Sequence, residues 1–339
     1  MSKSSILPTG KVSKDLLERL VFTCLGTPSN RLIMGPKVGE DAALIDMGDR
    51  VLIAKANPIT GAENRIGWLA VHINANDVAA RGARPLWYMS IVFLPEGSSE
   101  ELLESIMKDQ HEACTEIGVC VVGGHTEVAP DLQRPIIAGF MLGEVPKDRF
   151  ITTSGAEPGD KIILTKGLGI EGTGILANDL EHKLIDRMDP DVLIRAKLFL
   201  NNISTLKESI TASKIGGVTS IHTPTEGGVL NGLIEIAEAS GKGFRVYEKN
   251  FLLADETRII CDALRVDPLK LLSSGSLLIV VRRESVDKIL DAILQEGVRA
   301  SVIGEITEEK SVIVTSEGIE IPAISVEQDE LFRVLDEID

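Results

Sequence analysis

The sequence predicts an α+β fold with mixed sheets, organised as two α/β halves. Three observations carry that prediction. Short apolar runs of strand length alternate with longer runs of helical period along the chain. Some strands are separated by a tight turn and others by a full helix, so hairpins and crossovers occur together and a doubly wound parallel sheet is not expected. A stretch rich in Lys, Asp, Thr, Ser, Gly and Pro over 147–158 divides residues 1–150 from residues 151–339. Helices are expected on one face of each sheet.

The elements follow in order. Residues 14–25 (KDLLERLVFTCL) space their apolar side chains as a helix does. Residues 42–47 and 51–56 read as strands around a Gly48-Asp49 turn. Residues 64–83 form a mostly apolar helix, and 86–94 a strand closed by Pro95 and Gly97. The helix over 98–117 opens on Ser98-Ser99 and Glu100-Glu101, which places hydroxyls and acids at the positive end of the helix dipole. Strands follow at 118–122 and 135–143. The second half predicts a strand at 161–165, a glycine loop, and helices near 172–181, over 189–213 and over 228–240. After a short strand at 244–248 come helices at 255–265 and 284–296, with strands at 276–282, 299–305, 311–315 and 318–321.

Composition narrows the function. At 339 residues, 44% hydrophobic and 25% charged, the chain has the balance of a globular protein rather than a disordered one. Its net charge of −16 repels phosphate backbones and anionic lipid, so neither nucleic acid nor a membrane is an expected partner. A nucleotide held by local backbone donors and Mg²⁺ stays compatible with that charge. Cys24, Cys114, Cys120 and Cys261 form no C-x-x-C pair and read as thiols of a reducing cytosol. The opening MSKSSILPTG lacks the apolar core of a signal peptide, and no run approaches the ~20 apolar residues of a membrane span, so a cytoplasmic location is expected.

Four loops carry polar residues that packing alone does not ask for. In Val38-Gly39-Glu40-Asp41, two acids stand between a glycine and a strand, as a plain turn or as Mg²⁺ ligands beside a phosphate. Within the apolar 64–83 helix, His72, Asn74, Asn76 and Asp77 are costly to bury unpaired, so they satisfy a neighbouring loop or face a polar ligand. Gly123-Gly124-His125-Thr126-Glu127 ends a strand, where paired glycines point N–H groups at an anion and His125 or Glu127 can act as base or metal ligand; a hairpin-like loop is the alternative. Thr225-Glu226-Gly227-Gly228 precedes a helix, as a capped start or a phosphate site. The stretch Thr165 to Gly174 is neither a Walker A motif nor a full dinucleotide fingerprint.

Taken in order, VGEDAALID, HINANDVAARGARP, VVGGHTEV, EPGDKIILTKGLGIEGTGILA, HTPTEGGVLNGLIEIAE and DPLKLLSSGSLLIVV resemble the superfamily of aminoimidazole ribonucleotide (AIR) synthetase, selenophosphate synthetase, thiamine-monophosphate kinase and the hydrogenase maturation protein HypE, most closely its HypE-like members. The resemblance spans about residues 11–325. It implies a two-domain AIR synthase-like fold: an ATP-binding, dimerising domain over 1–150 and a C-terminal domain over 151–339. The N-terminal halves of a homodimer would pair into a β-barrel, with ATP in the cleft between the halves. It also implies Mg²⁺ at Asp41, Asp77 and Glu127, and ATP contacts from Asp41, Asn57, Asn76, Asp77, Gly123, Gly124, Thr126, Thr225, Gly227 and Gly228. His125, Glu127 and Glu226 are the catalytic candidates. The implied activity is ATP-dependent phosphorylation or dehydration of a small acceptor, by a transferase or ligase. The alternative is a non-catalytic nucleotide- or metabolite-binding homologue acting through protein partners.

Departures from the family pattern bear on that choice. Asn57 stands where the family usually has an Asp after the second strand, and Thr223 where an Asp usually precedes Pro-Thr. Both substitutions remove anionic oxygen, which Mg²⁺ prefers. HypE ends in a Pro-Arg-Ile-Cys tail whose Cys carries the carbamoyl group, whereas this sequence ends Leu331-Phe332-Arg333-Val334-Leu335-Asp336-Glu337-Ile338-Asp339. Authentic HypE chemistry is therefore not expected.

Overall fold

Two sheets organise the chain in a computed structural model that describes residues 7, 10–60, 62 and 64–336; most of the opening MSKSSILPT and the end Glu337-Ile338-Asp339 lie outside the described residues. The first sheet holds β1 (Leu32–Met34), β2 (Ala43–Asp46), β3 (Arg50–Ile59), β4 (Arg84–Pro95), β5 (Cys120–Ala129) and β6 (Ile136–Pro146) in the order β1-β2-β3-β6-β4-β5. Only β4 and β5 run parallel, so the sheet is mixed. Its helices are α1 (Lys14–Leu16), α2 (Ile66–Ala80) and α3 (Glu100–Ile117). Ser99 caps α3 by accepting the Leu102 N–H at 3.3 Å, and Gly118, at φ 71°, ends it in the left-handed region.

α2 is buried along its whole length. A helix apolar on every side needs cover on every side. Val71, Ala75 and Val78 pack with Leu44, Ile53 and Met141 of the sheet. Leu69 and Ile73 join a core with Ile170, Leu176, Leu193 and Leu200 of the second half. One apolar helix thus ties the halves together, and the polar residues at its C-terminal end fall at the seam.

The second half contains α4 (Ile170–Asp179), α5 (Glu181–Leu184), α6 (Pro190–Lys197), α7 (Leu206–Ile215), α8 (Gly228–Ser240), α9 (Asp255–Leu264), α10 (Val286–Gln295) and α11 (Glu330–Asp336). Its strands are β7 (Lys161–Thr165), β8 (Val218–His222), β9 (Gly243–Tyr247), β10 (Leu277–Val281), β11 (Ala300–Thr307), β12 (Val312–Val314) and β13 (Glu320–Pro322). They lie in the order β13-β12-β9-β11-β7-β10-β8, with β12 and β9 parallel and the other neighbours antiparallel. Here helices cover both faces, not one. Leu164, Leu278 and Val280 pack with Val229 and Leu233 of α8, while Ile163, Ile279 and Val281 pack with Ala212 of α7 and Ile289 and Ile293 of α10. The continuous apolar run of β10 belongs to a strand buried on both sides.

Three local expectations change. The 14–25 segment forms only the single turn α1 and a wide turn over Leu17–Val21, with no residue buried; without packing, so short a helix does not propagate. The 189–213 helix breaks into α6, a 3₁₀ turn over Leu198–Asn202 and α7. β5 continues through Gly123-Gly124 to Ala129, because its backbone keeps pairing with Met89 to Pro95 of β4. A strand therefore replaces the expected glycine loop. β1 and α11 were not anticipated from the sequence.

Candidate functional site

The seam between the halves holds a connected set of charged side chains. Arg81 ends α2 and is fully buried. Its Nη1 donates to Glu40 Oε2 at 2.8 Å and to Thr153 Oγ1 at 3.0 Å, and its Nη2 to Asp41 Oδ2 at 3.1 Å and to the Ile221 carbonyl. Glu40 also accepts the Thr153 and Ser154 N–H groups at 3.0 and 3.1 Å. His222, at the end of β8, lies with Nδ1 3.0 Å from Asp41 Oδ2 and Nε2 2.7 Å from Glu235 Oε2. Glu235 on α8 also pairs with Lys11 at 3.0 Å.

Both ring nitrogens of His222 face carboxylates, the arrangement that suits a doubly protonated imidazole. Burial alone would push that imidazole down, but Asp41 and Glu235 outweigh it and raise it to about 10. Burial likewise works against ionised Glu235 and Asp41. His222 and Lys11 nevertheless bring Glu235 down to about 2, and His222 with Arg81 holds Asp41 well below the usual carboxylate range.

Asp77 sits beside this set. Its Oδ2 accepts from Lys55 Nζ and Asn57 Nδ2, both at 2.9 Å, and its Oδ1 accepts from Thr223 Oγ1 at 2.5 Å. Burial pushes the Asp77 carboxyl upward, Lys55 and Thr223 oppose that, and Asp41 adds to it. Glu40, Asp41, Asp77 and Glu235 therefore face Lys11, Lys55, Arg81 and His222. Four carboxylates are balanced by four cationic groups within the protein.

This arrangement does not fit a divalent cation. Among the described residues no group of three or more His, Cys, Asp or Glu is placed to hold a metal ion. The Asp77 oxygens already receive three donors, and Glu127 lies elsewhere. β5 is separated from β3, which carries Asn57, by β6 and β4, three strand spacings or ~14 Å within one chain. The expected set of Asp41, Asp77 and Glu127 is therefore not assembled in the chain.

The structure brings Asp41, Asn57, Asp77 and Thr223 together and places the other candidates apart. Gly123, Gly124, His125, Thr126 and Glu127 lie exposed on β5, an edge strand, with His125 Nε2 2.9 Å from Glu127 Oε2. Asn76 bridges to the second half: its amide donates to the Ile203 carbonyl and accepts the Thr205 N–H, both at 2.8 Å. Thr225, Glu226, Gly227 and Gly228 do enter α8. Glu226 accepts the Lys11 N–H at 3.1 Å, and Gly227, at φ 78°, donates to Asp329 Oδ2 at 2.6 Å. Asp329 also accepts from Leu272 and Leu331 at 3.2 and 2.7 Å. The anion at this helix start is the chain's own carboxylate. Gly228 donates at 3.0 Å to the Thr225 carbonyl.

Arg81, Glu235, Lys11 and Asp329 carry the seam and the α8 entry but did not stand out as functional residues in the sequence. A faint signal exists for two of them. Arg81 follows an apolar helical run, and Glu235 lies between Ile234 and Ile236. Lys11 and Asp329 lie in segments with no periodicity to mark them.

The chain matches two family models of AIR synthase related proteins, the N-terminal domain over residues 39–145 and the C-terminal domain over 157–317. It is 30% identical over 313 residues to a putative hydrogenase expression/formation protein of Methanocaldococcus jannaschii, covering 90% of this chain and 91% of that one. In fold it is similar to HypE in a HypE–HypF complex, with a TM-score of 0.77 at 24% identity over 92% of this chain and 99% of that one. It is also similar to the hydrogenase maturation protein HypE solved in complex with ATP, with a TM-score of 0.72 at 23% identity over 95% and 97% of the two chains. The chain belongs to the family of AIR synthase related proteins.

Proposed function

We propose that the protein is a HypE-like nucleotide-binding member of its family that holds ATP at the seam between its halves and acts through binding rather than through Mg²⁺-dependent turnover. The observation that carries this reading is the saturation of the seam's acids: Lys55, Asn57 and Thr223 occupy Asp77, and Arg81 and His222 occupy Asp41. A HypE-like fold solved with ATP supports the ligand. A HypE solved with HypF supports a protein partner as the route of action. The proposal includes a cytoplasmic homodimer and a division of the chain near residue 150. Thiol chemistry in the second half is not part of it, since burial pushes the Cys261 thiol up to about 12.

One observation favours a second reading, turnover of a small acceptor. His125 and Glu127 form a dyad at 2.9 Å on an exposed edge strand, where a second copy can carry it to the neighbouring seam. Glu226 and the Thr225–Gly228 loop would then contribute from the second half. Titration calorimetry with a non-hydrolysable ATP analogue, paired with a phosphate-release assay on ATP, separates the readings. The proposal expects saturable binding with no release above the uncatalysed rate. Absence of binding overturns both readings, and sustained release that is lost in Glu127→Gln replaces the first with the second.

A further inference from the structure

Lys55 projects from β3 toward a carboxylate that cannot reach water: the side chains of Lys55 and Asp77 are 17% and 3% exposed, with Nζ and Oδ2 2.9 Å apart. An ammonium has three donors, and only one is used on Asp77. Besides Lys55, the side chains that donate to Asp77 are neutral, Asn57 from the same strand and Thr223 from the second half, and the nearby Asp41 is held by Arg81 and His222. A divalent ion here would have to expel Lys55 and would find Asn57 and Thr223 in place of anionic oxygen, although Mg²⁺ requires near-octahedral oxygen at about 2.0–2.1 Å. The neighbouring acids Asp41, Glu40 and Glu235 are each already paired with Arg81, His222 or Lys11.

We infer that Lys55 is a built-in replacement for a divalent cation, so that the seam excludes such ions and presents an ammonium to an entering phosphate. The phosphate clause rests on the nucleotide reading above; the exclusion of metal does not. Being tied to buried Asp77 fixes the ammonium in place, and its unused donors remain for an anionic oxygen. A lysine acts on phosphate as a point charge and does not impose the geometry a metal does. This suits holding a ligand more than bringing reacting groups into line.

The test uses Mn²⁺ as the probe, titrated into the full chain without nucleotide and followed by electron paramagnetic resonance. The wild-type protein is expected to leave Mn²⁺ free into the millimolar range, with a melting temperature that Mg²⁺ does not move. The double variant Lys55→Ala with Asn57→Asp removes the ammonium and adds a carboxylate beside Asp77. It is expected to bind Mn²⁺ at least tenfold more tightly, and Asp77→Asn on that background to lose the gain. Mn²⁺ bound by wild type and released by Asp77→Asn overturns the inference, as does a folded double variant with no gain. If the double variant does not fold, the wild-type titration still decides. For the phosphate clause, Lys55→Met with Asp77→Asn removes both charges together and is expected to weaken ATP-analogue binding at least tenfold; unchanged affinity overturns that clause. Wild type that binds no nucleotide overturns the nucleotide reading and the phosphate clause with it, while the Mn²⁺ result separately decides metal exclusion.

Discussion

Arg81 shows what single residues contribute here. Its guanidinium is fully buried and donates to two carboxylates, a hydroxyl and a carbonyl drawn from both halves. Removing one member of such a buried set leaves the opposing charges uncompensated, which typically costs about 3–5 kcal/mol. Arg81→Met is therefore expected to lower unfolding free energy by about that amount in a urea titration, and a loss below ~1 kcal/mol would contradict the role. The sequence marked this region only partly. Asn74, Asn76 and Asp77 stood out because polar groups in an apolar helix need partners, and each has one: Asn74 donates to the Ala70 carbonyl at 2.8 Å, Asn76 bridges to residues 203–205, and Asp77 meets Lys55. Asn74 finds a partner within α2 itself, but those of Asn76 and Asp77 lie in other elements, so local pattern could not choose between a neighbouring loop and a ligand. His72 on the same helix is a core histidine, packed 4.3 Å from the Trp68 ring, with burial pushing its imidazole down to about 4.

At the scale of elements, regular segments with a clear period were legible and irregular ones were not. β7 and α8 fall within the ranges the sequence predicts, since an apolar run or a helical stripe sets them. β5 ran past its expected end because strand pairing, not glycine content, set its length. The start of α4 supports a pH prediction. Glu171, in its first turn, is pushed up from an ordinary 4.5 to about 7 by burial, with Asp329 and Glu226 adding to the effect and Ser274 opposing it. A carboxyl raised on folding keeps a proton that the unfolded chain has released. Stability therefore falls as pH rises from about 4.5 through about 7, and the penalty persists above that. Burial raises Asp329 in the same direction, to about 6. Glu171→Gln is expected to match wild type near pH 4 and to exceed it by ~2–3 kcal/mol near pH 8 in denaturant titrations. Equal stability of the two proteins across that range would contradict the assignment.

For the whole molecule, the first sheet ends on an open edge. Among the described residues β5 pairs only with β4, and Val121, Val122 and Val128 are each about half exposed on it. Unpaired, partly apolar edges invite pairing with another chain, which fits the proposed homodimer. Sedimentation equilibrium at micromolar concentration is expected to give a dimer that Val122→Lys dissociates, and a wild-type monomer would contradict it. Among the described residues no helix is long and apolar enough to cross a membrane. The two halves are joined by an apolar core and, at the seam, by charges that cancel one another. That cancellation sets how the seam meets a nucleotide. It is tested most directly by comparing the affinity of a non-hydrolysable ATP analogue in excess Mg²⁺ with that in EDTA, by titration calorimetry on the full chain. A seam with built-in cations predicts saturable binding whose affinity changes less than about threefold between the two buffers, well under the tenfold that corresponds to 1.4 kcal/mol. Binding that requires Mg²⁺ would contradict it.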